Sequence, residues 1–183
     1  MDIHVRALSG LDRSPLETHF TALDSEDRRL RFGVPLNDGG VRAYVTRIDF
    51  ERDAAFGVYH DDLHLLGAAH LARSEGYAEL GVSVLPANRG HGIGSALLAR
   101  AHMRARNWGL GALFMHCLAE NAAMMRLARR RQMEIVIDSG EADAWLRLPP
   151  ADAGTHFGEV FAERVAVFDY ALKQGRSWLG PGK

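Results

Sequence analysis

The sequence has only one cysteine and no long uninterrupted apolar stretch. Cys117 has no second cysteine to pair with, so an internal disulfide and a cysteine metal cluster are excluded, and a small buried core residue is expected. The longest apolar run, 63–72, is interrupted by His64 and His70, which argues against a membrane span. No basic, apolar leader opens the chain, so secretion is not expected. These absences favour a cytoplasmic protein.

An excess of charge of either sign is also lacking. The 183 residues carry 22 Lys and Arg against 23 Asp and Glu, a formal net charge of −1, with the two signs scattered among each other. Such a chain has no general attraction to nucleic acid or to a membrane surface, and neither is an expected partner. With 47% hydrophobic and 25% charged residues, the composition is that of a globular protein. The length suits one domain over residues 1–183.

Hydrophobic periodicity divides the chain into strands and helices. Period-2 patterns and short apolar runs predict strands at 3–8, 54–59, 65–72, 77–85, 113–118, 134–138 and 142–148. Helical spacing predicts two helices within 12–32, and others at 41–48, 92–107, 121–131 and about 155–174, the last closed by Gly175. Short polar connections between the second, third and fourth strands predict an antiparallel meander. The apolar stripe of the last helix is expected to pack on its own domain, with a cover over a cleft or a dimer interface as alternatives.

A glycine-rich loop joins the fourth predicted strand to the next helix. In Arg89-Gly90-His91-Gly92-Ile93-Gly94, glycines let backbone amides approach a ligand, and the positive end of the helix favours an anion such as a diphosphate. A Walker A loop is disfavoured because no lysine precedes Ser95. A dinucleotide fingerprint is disfavoured because the preceding strands form a meander. A tight strand-to-helix turn without a ligand is the structural alternative.

Two short motifs resemble the signatures of one enzyme family. Arg89-x-x-Gly92-x-Gly94 resembles the Gln/Arg-x-x-Gly-x-Gly/Ala signature of the GNAT acetyltransferases, and Ala119-Glu120-Asn121 resembles their second signature, an Asn-led helix after the fifth strand. The resemblance implies an α/β (α+β) GNAT fold, with a mixed, mostly antiparallel sheet of six to seven strands flanked by helices. It also implies acetyl-CoA as cosubstrate, with the diphosphate on the loop amides and the pantetheine arm along the fourth strand.

The same resemblance assigns the cofactor residues. By similarity Asn121 touches the pantetheine arm or the thioester, although a helix N-cap alone also explains it. The cofactor-binding residues implied are Val82, Val84, Leu85, Arg89, Gly90, His91, Gly92, Ile93, Gly94, Ser95 and Asn121.

Glu79 is the residue that the resemblance nominates for catalysis. It shares one face of the fourth strand with Gly81 and Ser83, and it matches the general-base glutamate of some family members. It is therefore expected to deprotonate the acceptor amine from a partly buried cleft, with a solvated glutamate paired to arginine as the alternative. The chain departs from the family at Ala128, where many members have a tyrosine that protonates the leaving thiolate. Tyr170 or a water would have to replace it, or the thiolate leaves unprotonated.

The function implied is an N-acetyltransferase that moves the acetyl group of acetyl-CoA to a primary amine by direct transfer in a ternary complex. The segment Arg28-Arg29-Leu30-Arg31-Phe32, with Tyr44 and 49–50, loosely resembles the GNAT domains of bacterial protein-lysine acetyltransferases. A protein lysine or a small amine is therefore the expected acceptor, for a monomer or a homodimer. A non-catalytic acyl-CoA-binding module and a nucleotide-binding regulator are the alternatives.

Several polar residues receive structural interpretations. His70 and His116 lie on predicted strands and are expected to be hydrogen-bonded structural residues. The nine histidines show no metal-ligand spacing, so no metal site is predicted. The run Arg129-Arg130-Arg131 either steers the cofactor phosphates or forms a solvated helix end.

Overall fold

A seven-stranded sheet with helices on both faces organises the computed structural model, which describes residues 3–179. The strands are β1 (Arg6–Leu8), β2 (Ala54–Tyr59), β3 (Leu65–Arg73), β4 (Tyr77–Val84), β5 (Ala112–Leu118), β6 (Glu134–Asp138) and β7 (Glu141–Arg147). The helices are α1 (Arg13–Thr21), α2 (Ser25–Phe32), α3 (Asp38–Arg47), α4 (Ile93–Asn107), α5 (Ala122–Arg130) and α6 (Ala153–Leu179). The predicted strand 3–8 is shorter than expected, since only its last three residues pair with β2.

The strand order is β1-β2-β3-β4-β5-β7-β6. Every neighbouring pair is antiparallel except β4 and β5, which run parallel. The prediction of a mixed, mostly antiparallel sheet is therefore confirmed. Helix α4 connects the two parallel strands, as a parallel pair requires a crossover.

Each face of the sheet has its own hydrophobic core. On one face α4 and α5 pack on the central strands, and Leu97, Leu98 and Ala101 are at most 1% exposed. On the other face α1 and α3 bury Leu16, Phe20 and other residues against β2 and β3. Because both faces are covered, most residues of β2 and β3 are buried, whereas only four of the eight residues of β4 are.

Helix α6 differs from its prediction in both length and orientation. It runs to Leu179 through Gly175, since a glycine inside a helix costs only about 1 kcal/mol and does not by itself end the helix. The apolar stripe was predicted to pack on the domain, but α6 packs on α4 and β1 through its opposite side. The apolar stripe faces outward, with Phe157, Phe161 and Phe168 between 60% and 72% exposed. Neither α6 nor any other helix within 3–179 combines the length and apolarity needed to cross a membrane.

The packing of α6 is explained by one buried arginine. Arg100 on α4 is 4% exposed, and its guanidinium binds Glu159 at 2.6 Å and Glu163 at 2.9 Å. A buried guanidinium needs charged partners, and these two carboxylates lie on the polar side of α6. The helix therefore turns its glutamates inward.

Candidate functional site

The parallel strands β4 and β5 separate partway along their length. Their pairing covers only the three positions from Tyr77 to Glu79, which oppose Ala112 to Phe114. Beyond Glu79, β4 still pairs with β3, but its other edge has no paired strand in the described structure. The result is a wedge-shaped gap in the middle of the sheet.

Two backbone units of β4 are directed into this gap. In the antiparallel β3–β4 pairing, hydrogen-bonded and non-hydrogen-bonded residue pairs alternate. The Leu85 N–H donates to the Leu66 carbonyl at 2.9 Å, so the pairs of Val84 and Val82 with β3 are the non-hydrogen-bonded ones. The amide and carbonyl groups of Val82 and Val84 therefore point away from β3 and into the gap.

The glycine loop forms the end of the gap, where α4 begins. Gly90 and Gly92 have φ angles of +82° and +91°, a left-handed conformation that strains other residues. Gly92 is the N-cap of α4, and the buried side chain of Ile93 anchors the first turn in the core. A Cβ on Gly94 would make an ordinary van der Waals contact with Leu127 of α5 at 3.4 Å, so Gly94 lies where the two helices pack. The free amides of the first α4 turn thus lie at the mouth of a groove, in the arrangement that binds anions.

Arg89 is fixed on the wall of the groove by two partners. Its Nε donates to the Val84 carbonyl at 3.0 Å, and its Nη2 pairs with Asp27 of α2 at 2.7 Å. The second carboxylate oxygen of Asp27 is buried without a hydrogen-bond partner in the described structure. Arg89 therefore ties the loop to α2 and neutralises a carboxylate that would otherwise repel an anion.

These elements enclose the cofactor groove, a cavity of about 240 Å³ between β4, the glycine loop, α2 and α5. It brings together most of the residues that the sequence predicted, namely Val82, Val84, Arg89, Gly90, Gly92, Ile93, Gly94, Ser95 and Asn121. Leu85 and His91 do not line it, because Leu85 packs toward the α1–α3 core and His91 is exposed. Several further residues line the groove that were not predicted from the sequence, among them Asp27, Leu30, Arg31, Asn88, Arg126 and Leu127. Of the arginine run 129–131, only Arg130 lines the groove.

Asn121 forms the N-cap of α5 and is 7% exposed. Its Oδ1 accepts a hydrogen bond from the Met124 N–H at 3.1 Å, and its Nδ2 donates to the Leu30 carbonyl at 3.1 Å. Both polar atoms of the side chain are thus engaged within the protein. Asn121 therefore fixes the distance between α5 and α2, the two opposite walls of the groove.

A second cavity, of about 650 Å³, opens on the other side of the gap and is called the acceptor cavity below. It shares Leu30, Arg31, Val82 and Met124 with the cofactor groove, so the two spaces meet at the divergence of β4 and β5. Polar residues from several elements line it, including Tyr44, Arg47, His70, Glu79, His116 and Glu141. A ligand in one cavity can therefore contact a ligand in the other.

Glu79 lies in the acceptor cavity on the face of β4 that the sequence predicted. Its side chain is exposed, whereas a partly buried carboxylate was expected. No arginine pairs with it in the described part of the chain, so the alternative of a glutamate neutralised by arginine is not observed. A free carboxylate at this position is able to accept a proton from a ligand or a water.

A chain of hydrogen bonds runs along the floor of the acceptor cavity. Asp53 contacts His70 Nε2 at 2.9 Å, His70 Nδ1 contacts the Tyr44 hydroxyl at 2.8 Å, and Arg31 Nη2 donates to the same hydroxyl at 3.0 Å. Burial lowers the pKa of His70 and the charge of Arg31 lowers it further, while Asp53 opposes both. At neutral pH a neutral His70 donates through Nε2–H to the carboxylate and accepts through Nδ1 from the hydroxyl. His70 is thus hydrogen-bonded as predicted.

Other nominated residues lie elsewhere. Tyr170 lines neither cavity, because its ring packs 4.7 Å from that of Tyr59 and 4.2 Å from the Arg6 guanidinium. Ala128 is 1% exposed in the core and also lines neither cavity. Cys117 is buried as expected at the edge of the acceptor cavity, and burial raises the pKa of its thiol. His116 is exposed and hydrogen-bonded to Asp143 at 2.7 Å.

Comparisons with known proteins agree with the observed fold. The model of the Acetyltransferase (GNAT) family matches residues 20–132. A search of curated proteins finds no significant match. Among solved structures, the GNAT domain of S. lividans PAT is 20% identical, with 80% of this chain and 90% of that chain covered at a TM-score of 0.69.

Two further solved structures have the same fold. Salmonella typhimurium yncA, whose structure contains its cofactor acetyl-CoA, is 17% identical, with 84% of this chain and 98% of that chain covered at a TM-score of 0.62. The ribosomal-protein-S18-alanine N-acetyltransferase of Escherichia coli is 18% identical, with 84% and 97% covered at a TM-score of 0.60. At these identities the structures establish a shared fold.

Proposed function

Because the chain belongs to the acetyltransferase (GNAT) family, we propose that it transfers the acetyl group of acetyl-CoA directly to a primary amine in a ternary complex. Family membership makes it an acetyltransferase that uses acetyl-CoA. The proposal adds the acceptor, a small primary amine or a protein lysine, and the residues that act on it. Residues 1–183 would form a single domain.

One observation carries the proposal, namely that the cofactor groove and the acceptor cavity meet at Val82. The free amides of the first α4 turn would bind the diphosphate of CoA, with Arg126 and Arg130 nearby on α5. The Val82 carbonyl and the Val84 N–H, which also face the gap, would pair with the pantetheine arm. The thioester end of the cofactor would then lie beside the cavity that contains Glu79.

Acetyl-CoA supplies an activated acyl group, and the protein must deprotonate the amine and stabilise the carbonyl oxygen. Glu79 would accept the proton of the amine, directly or through a water. The Val82 N–H would donate to the carbonyl oxygen as that oxygen gains negative charge. With Ala128 in the core and Tyr170 outside both cavities, no tyrosine occupies the expected acid position, so the thiolate leaves unprotonated or takes its proton from water.

The test compares Glu79→Gln with a matched control in the same cavity. Thiol release from acetyl-CoA is measured against a panel of amines, peptides and amino acids, and CoA binding is measured by calorimetry. Removing a general base typically costs 10²- to 10⁴-fold, so kcat/KM of Glu79→Gln should fall about 100-fold or more at neutral pH with unchanged CoA affinity. Glu141→Gln, which removes the other carboxylate of the cavity, should keep most of the activity.

Two results would contradict the proposal. Equal loss of activity in Glu79→Gln and Glu141→Gln would mean that the charge of the cavity matters and not the position of the base. CoA binding by the wild type without thiol release on any amine would favour the alternative of a non-catalytic acyl-CoA-binding module.

A further inference from the structure

Arg31 presents its guanidinium at the point where the two cavities meet. The group lies directly over Gly81 of β4, and a Cβ at that position would come within 2.5 Å of both terminal nitrogens. Only a glycine leaves this space. Gly81 is therefore the residue on β4 that lets the guanidinium reach the floor of the acceptor cavity.

The positive charge of Arg31 has no carboxylate partner among residues 3–179. Its Nη2 donates to Tyr44, and its buried Nε has no hydrogen-bond partner in the same part of the chain. Instead, the rings of Phe20, Phe32 and Tyr44 surround it at 4.9 to 5.6 Å. Cation–π contacts stabilise a guanidinium by only about 0.5–2 kcal/mol each. By contrast, the buried Arg100 has two carboxylates.

The orientation of Arg31 is fixed from behind. Since the carboxylate of Asp53 only accepts hydrogen bonds, a neutral His70 donates to it and accepts the Tyr44 hydroxyl proton. The remaining lone pairs of the Tyr44 oxygen then accept from Arg31 Nη2. These hydrogen bonds thus fix the Arg31 guanidinium beside the acceptor cavity, where it still has unused N–H donors.

We propose that Arg31 binds a carboxylate of the acceptor, so that the acceptor is a short amino acid or another small amine with a carboxylate a few bonds away. The inference rests on the proposed function and names its acceptor class. A guanidinium provides two parallel donors that match the two oxygens of a carboxylate. The amine of a protein lysine side chain carries no such group.

The spacing of Glu79 and Arg31 limits the length of this acceptor. Glu79 and Gly81 lie on the same face of β4, about 6.6 Å apart at about 3.3 Å per residue. Since Arg31 covers Gly81, the guanidinium and the Glu79 carboxylate flank the same short stretch of β4, and an acceptor that binds both must carry its amine and its carboxylate close together. An α- or β-amino acid has this arrangement.

The test uses free amino acids and their carboxamides as matched acceptors in the thiol-release assay. The amide has the less basic amine and is more deprotonated near neutral pH, so chemistry alone favours it. The wild type should nevertheless prefer the free acid. In Arg31→Gln the ratio of kcat/KM for acid over amide should fall about 10- to 100-fold, the value of a charged hydrogen-bonded pair.

Two further variants separate this role from general effects. Arg47→Gln removes an exposed positive charge from the same cavity and should change the ratio less than about threefold. Gly81→Ala keeps Arg31 but displaces its guanidinium, and it should reduce the ratio as Arg31→Gln does. Calorimetry with CoA and thermal unfolding verify that each variant is folded.

Three outcomes would overturn the inference: a wild type without preference for the acid, equal loss on acid and amide in Arg31→Gln, or an equal effect of Arg47→Gln. Calorimetry of amino acids and amides with the CoA-bound protein distinguishes this failure from that of the proposed function. If the wild type binds the free amino acid and not its carboxamide, and Arg31→Gln no longer binds the free amino acid, the carboxylate site is supported even if no amine is acetylated. Absence of that selectivity refutes it even if acetylation occurs.

Discussion

Acid should destabilise this protein through His19, a residue outside the chemistry whose hydrogen-bond partner Ser83 lines the cofactor groove. His19 of α1 is 2% exposed. Because a carbonyl only accepts, its Nδ1–H donates to the Leu65 carbonyl at 3.0 Å, and its Nε2 accepts from the Ser83 hydroxyl at 2.8 Å. Burial lowers the pKa of His19 to about 4, and the charge of Arg31 acts in the same direction. The folded protein thus holds His19 neutral.

The direction of the effect follows from comparing the two states. Above about pH 6.5 His19 is neutral in both the folded and the unfolded chain, so pH does not change its contribution. Between pH 6.5 and about pH 4 the unfolded chain binds a proton that the folded chain does not, so the free energy of unfolding decreases as the pH decreases. At 1.36 kcal/mol for each pKa unit, the whole loss is about 3 kcal/mol.

Urea denaturation of the wild type and of His19→Gln, from pH 7.5 to pH 4, measures this contribution. Glutamine can keep a donor and an acceptor but does not titrate. The pKa values of His70 and His102 are also lowered by burial, but both residues are present in both proteins and cancel in the difference. The wild type should lose about 3 kcal/mol more than the variant across the window. If the free energies of unfolding of the two proteins changed equally with pH, His19 would not be held neutral by the fold.

Two further predictions concern the walls of the groove. Arg89→Glu places a second negative charge beside Asp27 and should weaken CoA binding at least about 10-fold by calorimetry, whereas Arg147→Glu on the exposed surface of β7 should not. Asn121→Ala should lower the free energy of unfolding by about 1–2 kcal/mol and also weaken CoA binding, because the α5 cap and the link to α2 are both lost. Asn37→Ala, which removes the N-cap of α3 away from the groove, should reduce stability similarly and leave CoA binding unchanged; the opposite result would contradict the role of Asn121.

The local features of the site could be predicted from the sequence. The glycine loop, the face of β4 that carries Glu79 and the cap at Asn121 each depend on a few consecutive residues, and their geometry follows from backbone chemistry. Arg31 was named from the sequence only as part of the segment that resembles bacterial protein-lysine acetyltransferases, without a role in the site. Its position over Gly81 depends on packing between segments 50 residues apart, which periodicity does not report. The free edge of β4 likewise depends on where β5 stops pairing.

The last helix shows where periodicity misleads. Its apolar stripe at Phe157, Phe161 and Phe168 was expected to mark the packing side, yet those side chains face outward. The competing effect is the charge of Arg100, which requires Glu159 and Glu163. An amphipathic pattern identifies two sides of a helix, but a buried charge on a neighbouring helix determines which side turns inward.

Glu163 has a second contact with a wider consequence for the sheet. Besides Arg100, its carboxylate accepts the N–H of Ala7 in β1 at 3.1 Å. β1 is a terminal strand of the sheet, and an unpaired backbone donor there invites an additional strand from another chain. The Glu163 carboxylate satisfies that donor. Removal of α6 would therefore leave the Arg100 charge without its partners and expose a sheet edge that can pair with another copy of the chain. The opposite edge strand, β6, has no such side-chain contact within residues 3–179, and its Val136 and Ile137 are more than half exposed. Any growth of the sheet by strand addition would therefore start from β6.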